Sequence, residues 1–159
     1  MFVAAPLDRT ARIVTGLVWA LGAVFLVAGL VVLAVSPSPV ALALLASAFA
    51  IGALIAWYRP RRPMVYELDQ GALVVQRRRS APRRFTGPIS HVRRGRLGLR
   101  LAGDGGIYGY LGKFRAEGTT VSAFVTSTAN VVVLSIGDRN VALSPAEPDE
   151  FIAAAGRLA

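Results

Sequence analysis

Between Ile13 and Tyr58 the chain carries no charged side chain. The stretch reads IVTGLVWALGAVFLVAGLVVLAV, then SPSP, then VALALLASAFAIGALIAWY, two apolar runs back to back. A helix needs about 20 predominantly apolar residues to cross the hydrocarbon core of a bilayer. Each run is long enough, so the pattern predicts a transmembrane hairpin with helices over 13–35 and 40–58. Pro37 and Pro39 break the helix between them, and so short a link only suffices for antiparallel neighbours. Thr15, Gly22, Gly29 and Ser36 recur every seventh residue on the first helix, and Ala43, Ala46, Ala50 and Ala53 form a small-residue stripe on the second. These faces are expected to pack together, unless they only reflect how common Ala and Gly are in membrane helices. Trp57 and Tyr58 suit an interfacial aromatic belt.

Basic residues flank the hairpin and avoid its turn. Arg9 and Arg12 precede it; Arg59, Arg61, Arg62 and the run Arg77, Arg78, Arg79 follow it. The positive-inside rule therefore predicts both termini in the cytoplasm, in a multi-pass protein of the cell inner (plasma) membrane. A cleaved signal peptide is the alternative to weigh, because Ala41 and Ala43 frame an A-x-A triplet. The first run is longer than a usual signal core, and the second would remain as an anchor, so the hairpin is expected to stay intact. Residues 1–12 are then a cytoplasmic tail, 59–63 a basic linker, and 64–159 a cytoplasmic domain.

In that domain the hydrophobic period falls to about two. Strands are expected over 64–68, 72–76, 83–86, 89–92, 97–101, 119–126, 131–136 and 140–143, with tight turns at Asp69-Gln70-Gly71 and Gly137-Asp138-Arg139. Many short strands suggest a small antiparallel barrel or sandwich. A helix should close the chain. Ser144-Pro145-Ala146-Glu147 has the S-x-x-E capping pattern, and Pro148 is a second candidate for the first helical position. Phe151, Ile152, Ala155 and Leu158 share one face of that helix.

The net charge of +9 is concentrated beside the hairpin. Residues 59–115 hold 14 basic side chains against Glu67, Asp69 and Asp104, whereas 116–159 hold two against five acids. Such clusters next to a membrane helix favour an anionic leaflet by ~1 kcal/mol per side chain. The candidate contact residues for headgroups or an acidic protein are Arg77, Arg78, Arg79, Arg83, Arg84, Arg93, Arg94 and Arg96; the plainer reading is that they set topology and solubility. A nucleic-acid groove with Phe85, Tyr108 and Tyr110 as stacking platforms is not expected, because membrane orientation already accounts for much of the charge.

Catalytic chemistry has little to work with. Cysteine is absent and His91 is the one histidine, which excludes a Cys/His zinc site within one chain. Residues 103–112 are rich in glycine, yet Lys113 is followed by Phe114 where a Walker loop needs Ser or Thr, and the dinucleotide pattern fails at Tyr108. This stretch is expected to be a structural loop with Tyr108, Tyr110 and Phe114 packed on the barrel. Glu147, Asp149 and Glu150 read as helix-dipole partners rather than an acid and base pair. No catalytic residue, metal or cofactor is expected, and the hairpin has no ionisable residue to form an ion pathway.

Two segments carry a resemblance to a known family: GDGGIYGYLGKFR at 103–115 and NVVVLSIGDRNVALSPAEPDEFI at 130–152. Together they resemble the bacterial PH-like domains of small membrane proteins. Gly106, Gly109, Gly112 and Phe114 match a G-x-x-G-x-[FY]-G-x-[FY] pattern, with Leu111 where an aromatic is usual. Ser144, Pro145, Pro148 and Phe151 match an S-P-x-x-P-x-x-F turn. The resemblance implies a bent, mostly antiparallel sheet capped by a C-terminal helix, with no catalytic residues to carry over. Phosphoinositide-binding relatives place basic residues around the loop between their first two strands; here that loop is short and acidic. The expectation is a non-enzymatic binding or scaffolding module at the cytoplasmic membrane face, contacting protein partners or anionic headgroups, with a homo-oligomer left open. The alternative is an accessory subunit of a membrane transporter or envelope enzyme that docks through its hairpin.

Overall fold

The computed structural model describes residues 1–69 and 71–158. Gln70, at the centre of the expected acidic turn, and Ala159 lie outside the described residues. In chain order the elements are β1 (Phe2–Val3), α1 (Arg9–Val35), α2 (Pro39–Tyr58), a 3-10 turn (Arg59–Arg61), β2 (Pro63–Asp69), β3 (Ala72–Arg77), β4 (Arg83–Thr86), β5 (Ile89–Arg94), β6 (Arg100–Gly105), β7 (Tyr110–Ala116), β8 (Thr119–Val125), a second 3-10 turn (Thr128–Asn130), β9 (Val132–Ile136), β10 (Arg139–Leu143) and α3 (Pro148–Gly156).

Both long helices start where a polar side chain caps them. The Asp8 carboxylate accepts from the Ala11 N–H at 2.8 Å, so α1 begins one turn before the apolar run, taking in Arg9 and Arg12. Ser38 caps α2, with Pro39 at its first turn. Both helices are long and apolar enough to cross a membrane, and only 6% and 11% of their most apolar windows are buried within the chain. A core helix of a water-soluble protein would turn that surface inward; here Leu17, Val24, Leu42 and Phe49 face out.

The two helices interlock by size. A Cβ on Gly29 would lie 2.9 Å from Leu45, and one on Gly22 would lie 3.0 Å from Ile51. Large side chains of α2 thus fill glycine notches in α1. The expected match of small face to small face is not what forms: Ala43, Ala46, Ala50 and Ala53 are exposed, and Ala41 and Ile55 are buried instead. With Ile51 and Leu45 filling the space beside Gly22 and Gly29, close packing is reached without a small-residue face on α2.

The domain is two sheets that do not close into a barrel. One has the order β1-β2-β3-β4 and the other β5-β9-β10-β8-β7-β6. All pairings are antiparallel except β8 with β10. Strict alternation builds the core: on β9, Val132, Leu134 and Ile136 face the space between the sheets and α3, while Val133 faces a second cluster with Val121, Ala123 and Ala142. From α3, Phe151 packs edge-on against Phe2 at 5.1 Å and Tyr66 at 6.4 Å. Truncating such an aromatic to Ala costs ~3–5 kcal/mol.

Several expectations shift. The first residues, read as a tail, add β1 to the edge of β2, and Ala4 bridges Pro145. The expected strand at 97–101 begins only at Arg100 and runs on to Gly105. The glycine-rich stretch is mostly strand: β7 pairs along its whole length with β8. Its glycines let two backbones meet, since a Cβ on Gly103 would lie 2.2 Å from the Leu111 carbonyl oxygen and one on Gly112 would lie 2.3 Å from that of Ala102. The connecting loop spans only 106–109. Of the two starts considered for α3, the one at Pro148 forms. Ser144 is buried, and its Oγ accepts from the Thr126 N–H at 2.7 Å rather than capping a helix.

Candidate functional site

The arginine-rich surface is assembled where α2 leaves the apolar hairpin. The Arg78 N–H donates to the Arg62 carbonyl at 3.0 Å and the Arg79 N–H to the Pro60 carbonyl at 3.1 Å. These bonds seat the β3–β4 turn against the end of α2. A cleft of about 240 Å³ results, lined by Ala56, Arg59, Pro60, Arg78 and Arg79.

The neighbouring arginines are engaged elsewhere. The Arg61 guanidinium sits 3.5 Å from the centre of the Trp57 ring and donates to the Trp57 carbonyl. Arg77 donates to the Ala81 carbonyl, 2.8 Å from its Nε. Burial lowers its pKa first, and the charges of Arg83 and Arg61 lower it further. Arg62 is half-buried; desolvation and then Arg78 lower its pKa, and its Nε is buried without a hydrogen-bond partner. An arginine stays charged through such shifts, so the region is a group of like charges in close proximity.

The eight candidate arginines do not form one surface. Arg78 and Arg79 line the cleft at the hairpin exit, and Arg77 feels the charges of Arg83 and Arg61. Arg84 lines a different cleft with Thr86, Gly137, Asp138 and Arg139. On β5, Arg93 pairs with Glu117 at 2.5 Å, and Arg94 makes a two-pronged pair with Asp149 at 3.0 and 2.7 Å. Arg96 borders another cleft beside Leu97, Glu117 and Thr128. These two ion pairs are the ones found among the described residues, and neither involves Arg78, Arg79, Arg83 or Arg84. His91 is exposed on β5.

A second junction, on the α1 side, was not anticipated. Thr15, in the second turn of α1, accepts from the Tyr108 N–H at 3.0 Å and donates to the Gly106 carbonyl at 3.4 Å. One turn on, the Trp19 indole N–H donates to the Tyr108 hydroxyl at 2.9 Å. Tyr108 holds a left-handed backbone, φ 59°, to reach both. Nearer the helix start, the Asp8 carboxylate also accepts from the N–H and hydroxyl of Thr128, each at 3.0 Å, and from the Tyr110 hydroxyl at 3.3 Å.

Burial alone would raise the Asp8 pKa, but the hydrogen bonds from Ala11, Thr128 and Tyr110 outweigh it and hold the carboxyl below its ordinary value. Tyr110 is correspondingly pushed up to about 12, by burial first and by the Asp8 charge second. Asp104, at the end of β6, is 4% exposed, and its Oδ2 has no hydrogen-bond partner. Desolvation pushes its pKa up to about 6 against the pull of nearby backbone N–H groups and Arg100. The Asp8 cap had a sequence signal, a D before the helix. Its bonds to Thr128 and Tyr110 span more than 100 residues and had none.

Residues 64–158 match the family model of the bacterial PH domain. No curated protein and no solved structure matches the chain.

Proposed function

From a chain that belongs to the bacterial PH domain family, we propose a non-enzymatic, membrane-anchored binding module whose arginine-rich side lies on anionic lipid headgroups at the cytoplasmic face of the inner membrane. The hairpin tethers the domain, and both termini lie in the cytoplasm because Arg9, Arg12 and Arg59 to Arg62 flank the apolar helices while the turn between them is uncharged. The observation that carries this reading is the bonding of the β3–β4 turn to the hairpin exit. It sets Arg78 and Arg79 beside Ala56, Arg59 and Pro60 at the end of an apolar helix, which supports contact with headgroups there. Tethering raises the local concentration of the domain at the leaflet, so weak individual contacts suffice.

The test is hydrogen exchange of the full chain in nanodiscs. With phosphatidylglycerol present, the backbone around Arg77 to Arg84 is protected relative to pure phosphatidylcholine discs, and added salt reverses part of that protection. Equal exchange in both discs would sink headgroup contact.

A second reading is favoured by the apolar groove of about 500 Å³ between α1 and α2, lined by Trp19, Gly22, Leu26, Phe49 and Ile55 among others. There the chain is an accessory subunit docking through its hairpin. A crosslinked membrane partner that persists after the hairpin is replaced by an unrelated one removes that reading.

A further inference from the structure

The basic surface at the end of α2 is sorted rather than uniform. Arg61 is stacked on Trp57, Arg77 is bonded to the Ala81 carbonyl, and Arg62 is half-buried. Three arginines remain that line the cleft, Arg59, Arg78 and Arg79, and no carboxylate lines it among the described residues. The other walls are the small apolar side chains of Ala56 and Pro60. Beside Ala56 on the next turns of α2 are Phe49, Gly52 and Ala53, all exposed, so a smooth apolar strip runs from the cleft toward the middle of the hairpin.

A helix C-terminus normally repels anions, because its last carbonyls point outward. Here two of those carbonyls have donors: the Arg59 N–H takes Ile55 and the Arg61 side chain takes Trp57. Just past the helix, the Arg79 N–H takes the Pro60 carbonyl and the Arg78 N–H takes that of Arg62. The repulsion of an anion at this end of the helix is therefore reduced, and the positive side chains oppose what is left of it.

The geometry points to a discrete site for one anionic glycerophospholipid, with its phosphodiester among Arg59, Arg78 and Arg79 and an acyl chain along Ala56, Ala53 and Phe49. This rests on the reading of the chain as a membrane-anchored module with its basic side on the leaflet, and it adds a stoichiometric binding site to that contact. Guanidinium forks match phosphate oxygens in two-pronged bonds. A zwitterionic headgroup brings an ammonium into a cluster with no carboxylate to receive it, so the site selects net negative lipids. A free phosphate ester offers the same headgroup chemistry but nothing for the apolar strip, so the site takes the lipid.

The test is native mass spectrometry of the full chain in mild detergent, titrated with dioleoyl phosphatidylglycerol, dioleoyl phosphatidylcholine or glycerol 3-phosphate. The chain retains one phosphatidylglycerol; the triple variant Arg59→Gln, Arg78→Gln, Arg79→Gln retains it at least about tenfold more weakly. Arg139→Gln with Arg157→Gln, exposed and outside the basic surface, binds as the parent does. Ala56→Trp, which fills the cleft without changing charge, loses the lipid too, so the result does not depend on the triple variant alone. Retention by both cleft variants overturns the site, as does equal loss in the Arg139 and Arg157 variant. Glycerol 3-phosphate competing as well as the lipid overturns the acyl-chain half. If nanodisc exchange still responds to anionic lipid while no single lipid is retained, the site fails and the diffuse contact stands; if neither is seen, both fail.

Discussion

The hairpin meets the domain at two junctions built on opposite principles. On the α1 side, Asp8, Thr15 and Trp19 are matched by Thr128, Tyr108 and Tyr110, so each polar group finds a partner across the junction. On the α2 side, like charges are gathered, the Arg78 and Arg79 backbone N–H groups are tied to backbone carbonyls, and neither side chain takes part in an ion pair among the described residues. The first arrangement fixes the domain on its anchor. The second leaves Arg78 and Arg79 in neither ion pair, although Arg61 and Arg77 beside them are engaged within the chain. On the proposed reading, stability and binding fall on different sides of the same anchor, and substitutions should separate them.

The largest effect is expected at the β6–β7 ladder, which carries the loop that reaches α1. Gly112→Ala forces a Cβ to 2.3 Å from the Ala102 carbonyl oxygen at a backbone φ of +134°. A loss of more than about 3 kcal/mol is expected, read as a fall in the denaturation midpoint of the detergent-solubilised chain.

Asp8→Ala comes next, because it removes a helix cap and leaves Thr128 and Tyr110 without their acceptor. It should cost about 2 kcal/mol at neutral pH. The folded pKa of Asp8 is depressed, so its contribution is present above the ordinary carboxylate pKa and is lost as pH falls through the folded value. The gap between parent and variant should therefore close in acid; a gap that persists there would break the assignment of this side to carboxylate hydrogen bonding.

Asp104 tests the same side with the opposite sign. Its folded pKa is raised from 3.8 to about 6, so ionising it opposes folding. The folded form is favoured below pH 4, the advantage fades as pH rises from about 4 to 6, and the full penalty applies above that. Asp104→Asn should raise thermal stability at pH 7.5 by roughly 1–3 kcal/mol and leave it unchanged near pH 4. Parallel pH profiles for parent and variant would show that Asp104 is not burdened by its burial.

Of the two junctions, the smaller change in stability belongs to the α2 side. Arg78→Gln with Arg79→Gln should leave the melting temperature within the range of ordinary surface substitutions, about 0.5 kcal/mol, while weakening lipid contact. A large loss of stability there would erase the contrast between the two junctions. Replacing Asp149 by Asn, which breaks the exposed pair with Arg94, should leave melting unchanged, because solvent screens such pairs.

The strands were legible where alternation was clean, as in Val132 to Ile136, and were lost where glycine replaced one face of the pattern. In β7, Gly112 stands where a core side chain would mark the strand, so a paired strand reads as a loop. β1 is two residues long and too short to carry a period. The arginines were legible as a charge density and illegible as a surface. Arg78 and Arg93 look alike in the chain, and only the approach of Glu117 distinguishes them.

By itself the sequence determined what depends on near neighbours: two uncharged apolar runs of membrane-crossing length, a domain of short strands with a closing helix, and the glycine and proline patterns of its family. Periodicity and turn chemistry act over a few residues, so they can be read from the chain. The tertiary structure decided which charges are answered and which are left open. It brought Asp8 to Tyr110, Thr15 to Tyr108 and Asp149 to Arg94, and set Arg78 and Arg79 beside Arg59 with no acid among them. A charge is neutralised by whatever the fold carries to within a few ångströms, and that partner has no fixed distance along the chain.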